Sequence, residues 1–376
     1  MNQKKKKIIF CLFKYFPHGG LQRDFMRVAS ICAQEGFGIR IYTISWQGSI
    51  PSGFDVQIVP VKALSNHMKA RKFSDAVVRH LDNEPADLVV GFNKMAGLDI
   101  YFASDDCFAE KCSVRSVLYR STSRARTYLQ LESEVFSPAS KTHIFLISPK
   151  QKESFKRFYG IVNGRMTLLP LGADKKFFDV EESTLNRQTI RKQLGISESD
   201  WMLLQVGSSF KTKGVDRVIR AIVALPENLR QRTVYVVVGS GREKAFKRLA
   251  QKLGVSQRIL FVGIRQDVER FMQAADLLVH PARTEAAGMT LVESMAVALP
   301  VLCSGTCGYA PVVEDCQAGL VLSEPFEQSK FNAALAQMLD TDRLRTFAQQ
   351  AKVRGNIEKL SGMAEKAAEI IIKRLL

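Results

Sequence analysis

The chain has 376 residues, 46% of them hydrophobic, with 54 Lys and Arg against 37 Asp and Glu and a formal net charge of +17. That length suits two domains of roughly 150 to 200 residues rather than one, with enough apolar material for real cores. The basic excess calls for an anionic partner (phosphorylated glycan, anionic lipid or nucleic acid), and the seven scattered cysteines lack zinc-ligand spacing and read as free thiols of a reducing compartment.

The start, Lys4-Lys5-Lys6-Lys7 followed by Ile8–Phe13, is too short in its apolar run for a secretion signal and reads as a buried first strand. No stretch approaches the ~18 apolar residues of a membrane span, so the expectation is a cytoplasmic protein whose membrane contact, where it has any, is peripheral. Gly19-Gly20 follows, then an amphipathic helix from about Leu21 to Glu35, stopped by Gly36. Strand, glycine turn and helix open a nucleotide-type domain, and paired glycines allow backbone to approach a ligand, although such pairs are as often only tight turns. Asp24 is expected on the first turn of that helix. Strands at Ile39–Ile44, Val56–Val61, Leu88–Phe92 and Ile100–Ala103, with a helix at Lys69–Leu81, imply a parallel sheet covered on both faces. Ligands gather at the carboxyl ends of such strands, which marks Asn93, Lys94 and Asp105 as contacts or as ordinary caps.

Residues 107 to 136 interleave aromatic and aliphatic side chains with Lys111, Arg115, Arg120, Arg124 and Arg126. The spacing Lys111/Arg115 and Arg120/Arg124 predicts basic helix faces suited to anionic headgroups, or a solvated helix with a packed back. Strand Thr142–Ile147, helix Pro149–Tyr159 and strand Met166–Leu169 complete a first domain, 1–170. The second, 171–357, repeats the alternation from strand Trp201–Val206 and the loop Gly207–Gly214 with Lys211 and Lys213, whose ammonium groups can offset a diphosphate. A final helix, about 358–376, is expected to cross back to the first domain. Late in the second domain strand Leu277–Val279 leads into Glu285-Ala286-Ala287-Gly288-Met289 and a helix carrying Glu293. Helix-end amides at Ala286, Ala287, Gly288 and Met289 favour anions, and Glu285 can accept hydroxyl hydrogen bonds. The alternative has Glu285 as a cap and Glu293 as a solvated charge.

Taken together, the Gly19-Gly20 turn, the lysine loop and Glu-x7-Glu resemble the retaining GT-B glycosyltransferases of glycosyltransferase family 4. The stretches Lys14 to Arg27, Gly91 to Met95 and Lys211 to Arg217 resemble, within that family, the lipopolysaccharide core glucosyltransferases of Gram-negative bacteria. The similarity spans essentially the whole chain. It implies an α/β GT-B fold of two Rossmann-like domains facing across a cleft, with a UDP-sugar as substrate, most often UDP-glucose, and a heptose of the lipopolysaccharide inner core as acceptor. By resemblance, Gly19 and Gly20 meet the donor diphosphate, Asp24 lies beside the donor, Lys213 with Lys211 binds diphosphate, Glu285 meets the transferred hexose and Glu293 the ribose. Asp105 stands where many relatives carry a donor-contacting histidine. Ser208 and Thr212 replace arginines common in the family, which leaves Lys211, Lys175 and Lys176 as candidates to share the charge.

No cofactor and no metal is expected. Asp340-Thr341-Asp342 has a metal-site pattern but opens a late helix, where Asp and Thr cap. Rival readings are a nucleotide-sugar epimerase or phosphorylase on the same fold, and a nucleic-acid binder. For the last there is no recognition motif, so no nucleic-acid partner is expected.

Overall fold

The computed structural model describes residues 5–17, 19–160, 164–178 and 183–376; Lys4 of the basic start and His18 of the glycine-turn stretch lie outside the described residues. The chain divides into two compact units, Met1–Pro170 with Met363–Leu376, and Leu171–Gly362.

In the first unit a parallel sheet runs Phe54–Ile58, Gly38–Thr43, Lys7–Cys11, Leu88–Gly91, Ile100–Ala103, His143–Leu146, Met166–Leu168. The second unit has the order Ile259–Gly263, Thr233–Val238, Trp201–Val206, Leu277–His280, Val301–Ser304, Gly319–Leu322, again parallel. The central strands are nearly continuous apolar runs because helices cover both faces; Thr233–Val238 is buried at every position. In each unit the first three strands build outward to one side, and the fourth returns to the other side of the first. The loops leaving strands one and four therefore diverge in opposite directions, the crevice where doubly wound sheets bind ligands. Two doubly wound parallel sheets, one in each unit, are the α/β architecture that the sequence predicts.

Helix Pro149–Tyr159 shows why some boundaries are sharp. Ser148 and Gln151 form a reciprocal capping box, proline occupies the first turn, and Gly160 ends the helix in the left-handed region at φ 57°. Residues 107 to 136 depart from the predicted continuous helix faces. They form three helices, Phe108–Ser113, Val117–Arg120 and Ser123–Phe136. Ser116 Oγ accepts from the Tyr119 amide at 3.3 Å and Thr122 Oγ1 from the Ala125 amide at 3.2 Å, each starting a new helix. Lys111 and Arg115, like Arg120 and Arg124, thus straddle breaks and do not share a helix face.

Helices Ser183–Leu194 and Ala310–Asp315 were not anticipated, nor was the two-residue parallel pairing of Lys14–Tyr15 with Ser45–Trp46. The terminal helix Met363–Lys373 belongs to the first unit and packs on helix Gly20–Gln34. Asp340 caps helix Thr341–Arg354, its carboxylate accepting from the Arg343 amide at 2.9 Å.

Candidate functional site

In the second unit Leu203 and Leu204 pair with Leu277 and Leu278, which places the loops after these two strands side by side. The first loop passes through a single helical turn, Phe210–Lys213, and Gly214. Gly214 lies at φ 78°, and a Cβ there would come within 2.1 Å of the Pro281 carbonyl oxygen, so a glycine is required for the two loops to touch. The result is direct pairing between residues 72 apart: Lys213 Nζ donates to Glu285 Oε2, which also meets His280 Nε2 at 3.1 Å.

Burial disfavours the charge on Glu285, but the hydrogen bond from His280 and the adjacent Lys213 ammonium outweigh it and hold the carboxyl at about 2 against an ordinary 4.5. Glu285 is therefore a fixed carboxylate throughout the neutral range. Its loop is pinned from behind. The Glu285 carbonyl accepts from the Gly308 amide at 3.2 Å and the Ala287 carbonyl from the Tyr309 amide at 2.8 Å. Gly288, at φ 94°, makes the turn into helix Met289–Ala296, on whose second turn Glu293 sits 2% exposed. Such burial rules out the solvated-charge alternative for Glu293. Lys211 is exposed at the same loop, as is Lys175, whereas Lys176 is committed to Glu269 at 2.6 Å. Lys176 is thus ion-paired, as Lys213 is.

Sequence reasoning missed His280, an imidazole 1% exposed beneath Glu285, and the pair Asp216 and Arg283, which lies beside the lysine loop. A histidine ending a buried strand at a switch point is the only signal that could have flagged the first.

In the first unit the equivalent crevice brings the Phe13 amide to Asn93 Oδ1 at 2.7 Å. Gly19 caps helix Gly20–Gln34, and a Cβ on it would overlap the Gln22 side chain, which is itself fastened to the Lys14 carbonyl at 2.9 Å. A side chain at 19 would thus require the Gln22 side chain to move, while Gly20 faces open space. Asp24 falls on the second turn rather than the first, half-buried, and Asp105 is exposed at the end of its strand.

Lys94 is corrected. Its ammonium pairs with Glu132 at 2.5 Å and donates to the Asp106 carbonyl at 2.9 Å, so it faces inward rather than toward an acceptor or membrane. Glu132 is fully buried and also accepts from the Phe108 and Ala109 amides at 2.7 and 2.8 Å and from the Tyr159 hydroxyl at 2.8 Å. The carboxyl is held below its ordinary range because Lys94 and those donors outweigh the cost of burial. It welds the loop after the fourth strand to the start of helix Phe108–Ser113.

Beyond that weld the surface is basic and apolar. Val114, Val117 and Leu118 are 82%, 67% and 84% exposed. Lys111 pairs with Asp106 at 2.9 Å. Among the described residues no acidic side chain pairs with Arg115, Arg120, Arg124 or Arg126. His67 approaches Ser123 and Tyr128, bringing alongside a groove of about 670 Å³ lined by Lys62, Leu64, Met68, Lys69 and Lys72 among others. Among the described residues no helix is long and apolar enough to cross a membrane, and no cluster of acidic, histidine and cysteine side chains could hold a metal ion.

Against known proteins, the family described as glycosyl transferases group 1 matches residues 186–354. The lipopolysaccharide glucosyltransferase WaaG of Escherichia coli K12 is 44% identical over 368 residues, 97% of this chain and 98% of that one. The crystal structure of WaaG, a glycosyltransferase involved in lipopolysaccharide biosynthesis, superposes with a TM-score of 0.93 over 97% of this chain and 99% of that one, at 44% identity. A sucrose-phosphate synthase from Thermosynechococcus elongatus shares the fold at a TM-score of 0.77 and 18% identity, with 98% and 99% covered.

Proposed function

The chain belongs to the group 1 glycosyl transferases, and on that premise we propose that it moves glucose from UDP-glucose to a heptose of the lipopolysaccharide inner core, with retention of configuration and without a metal ion. The observation that carries this reading is the pairing of Lys213 with Glu285 at the switch point of the second unit. A cation and a fixed carboxylate in contact suit a ligand whose diphosphate adjoins a ring of hydroxyls. The reading is supported by the 44% identity, over nearly the whole length of both chains, to a lipopolysaccharide glucosyltransferase of E. coli.

Breaking the bond from the sugar to the diphosphate leaves an oxocarbenium-like sugar and a departing anion. In this proposal Lys213, assisted by Lys211, neutralises that anion, and the amides of Ala286 to Met289 contact phosphate or sugar. One such preplaced donor is worth about 3 kcal/mol of barrier. Glu285 accepts from hexose hydroxyls and Glu293 from the ribose. Gly19, Gly20, Asp24 and Asp105 keep the donor-side roles that the family resemblance assigns them, and Asn93 an acceptor-side role. The exposed basic and apolar surface of residues 111–126 lies on the anionic inner membrane where the acceptor resides.

A panel of UDP-sugars tested for protection against thermal unfolding, followed by transfer to heptose-terminated lipopolysaccharide in excess EDTA, addresses the reading. UDP-glucose is expected to raise the melting temperature more than its epimers, since only native protein binds it. Transfer should persist in EDTA, and the product should keep the donor's anomeric configuration by NMR. A panel in which no UDP-sugar protects would remove the donor assignment; an inverted product or EDTA-sensitive transfer would remove those parts of it.

A further inference from the structure

We infer that Arg283 and Asp216 are positioning residues of the transfer reaction: they clamp the lysine loop to the glutamate loop and so set the spacing of Lys213 and Glu285. This rests on the donor-site reading above. Arg283 stands two residues before Glu285, and its backbone amide donates to the Thr212 carbonyl at 2.7 Å. Its guanidinium donates to the Lys211 carbonyl at 2.7 Å and, through both terminal nitrogens, to Asp216 Oδ1 and Oδ2 at 2.9 and 2.7 Å. Arg217 returns the connection, donating to the Pro281 and Ala282 carbonyls at 3.0 and 3.2 Å.

The carbonyls of Lys211 and Thr212, immediately before Lys213, are thus tied to the backbone and side chain of Arg283. A planar guanidinium is suited to this, because one rigid fork can serve a carboxylate and a carbonyl together, which an ammonium cannot. Both side chains are partly exposed, at 34% for Arg283 and 26% for Asp216, and exposed ion pairs add little to stability. The clamp therefore governs geometry more than folding. Misplacing a reacting group by about 1 Å can cost on the order of 10²-fold in rate, and Lys213 and Glu285 act on opposite sides of the bond that breaks.

The test compares R283A, R283K and D216N with the parent enzyme, using UDP-glucose and heptose-terminated lipopolysaccharide, with melting temperature and UDP affinity measured in parallel. All three are expected to lower kcat by roughly tenfold or more while UDP affinity changes by less than about threefold. R283K should remain impaired, because charge without the fork does not restore the clamp. The double variant R283A/D216N should be no slower than the slower single variant, since the two act as one unit. Should R283A fail to fold, R283K and D216N carry the comparison. Parent-like kcat in the folded variants, a loss of UDP affinity matching the loss of kcat, or additive single effects would each overturn the inference. K213Q and E285Q distinguish the levels. If either retains full transfer, the donor site itself is misassigned and the clamp falls with it. If both are inactive while the clamp variants turn over normally, the clamp alone falls.

Discussion

At the scale of single residues, the informative feature is a carboxylate made permanently ionic. Glu285 is largely buried, yet His280 and Lys213 keep it charged down to about pH 2. A carboxyl whose folded pKa lies below its unfolded value of 4.5 stabilises the fold fully above that value, and the contribution disappears as the pH falls toward 2. The gap corresponds to something on the order of 3 kcal/mol. Replacing Glu285 with Gln is expected to lower stability at pH 7, where Lys213 loses its partner, and to flatten the decline between pH 5 and pH 2.5. Melting temperatures across that range, read as the difference between the two proteins, decide it; parallel curves would mean that Glu285 does not carry the linkage. Little of this environment was legible beforehand. The two glutamates and Lys213 were visible as residue types, but their meeting depends on strands one and four being neighbours, which no local pattern encodes. Glu132 shows the same gap: within a helix rich in polar residues it reads as a surface charge, and only the fold reveals four donors, from Lys94, Phe108, Ala109 and Tyr159, converging on it.

At the scale of elements, legibility followed the strength of local signals. Ile100–Ala103, Pro149–Tyr159 and Trp201–Val206 fall where the sequence predicts them, because apolar runs and a capping box decide them without help from the rest of the chain. Ser183–Leu194 was missed because its face is weakly patterned, with only Asn186, Ile190 and Arg191 buried among its described side chains. The segment from 107 to 136 was read as basic helix faces, and two hydroxyl caps break it instead. Its chemistry survives the change of shape. The breaks leave Val114, Val117 and Leu118 exposed beside arginines that, among the described residues, no acidic side chain neutralises, a pattern that suits the proposed membrane contact through a few apolar side chains under a basic collar. Each cation near an anionic surface contributes about 1 kcal/mol. Converting Arg120, Arg124 and Arg126 to Glu is expected to reduce partitioning onto phosphatidylglycerol-containing liposomes at least tenfold at physiological salt while UDP binding is unchanged. Sedimentation with liposomes measures it, and undiminished sedimentation would remove this surface from the membrane reading.

For the molecule as a whole, the chain's end is part of its beginning. Helix Met363–Lys373 buries Met363, Ala364, Ala367, Ala368 and Ile371, and packs on helix Gly20–Gln34 of the first unit. Arg27 approaches Glu365 at 3.6 Å and Lys6 donates to the Leu375 carbonyl. The small residues at 364, 367 and 368 let the two helices come close, so the contact is apolar packing with ion pairs only at its edge. Exposed ion pairs of this kind contribute little; the apolar seam is what stabilises the first unit. Ile371 is fully buried, and an aspartate in its place would bring an unpaired charge into that seam, a change costing about 3 kcal/mol or more. Ile371→Asp is therefore expected to lower the melting temperature by several degrees, whereas Glu365→Gln, which removes only the edge pair, should leave it nearly unchanged. Equal effects from the two substitutions would mean that charge rather than burial holds the terminal helix. The argument extends to UDP-glucose binding measured below the melting transition of Ile371→Asp. Lys213 and Glu285 meet through hydrogen bonds and strand register internal to Leu171–Gly362, so the affinity they confer should persist when the first unit is weakened.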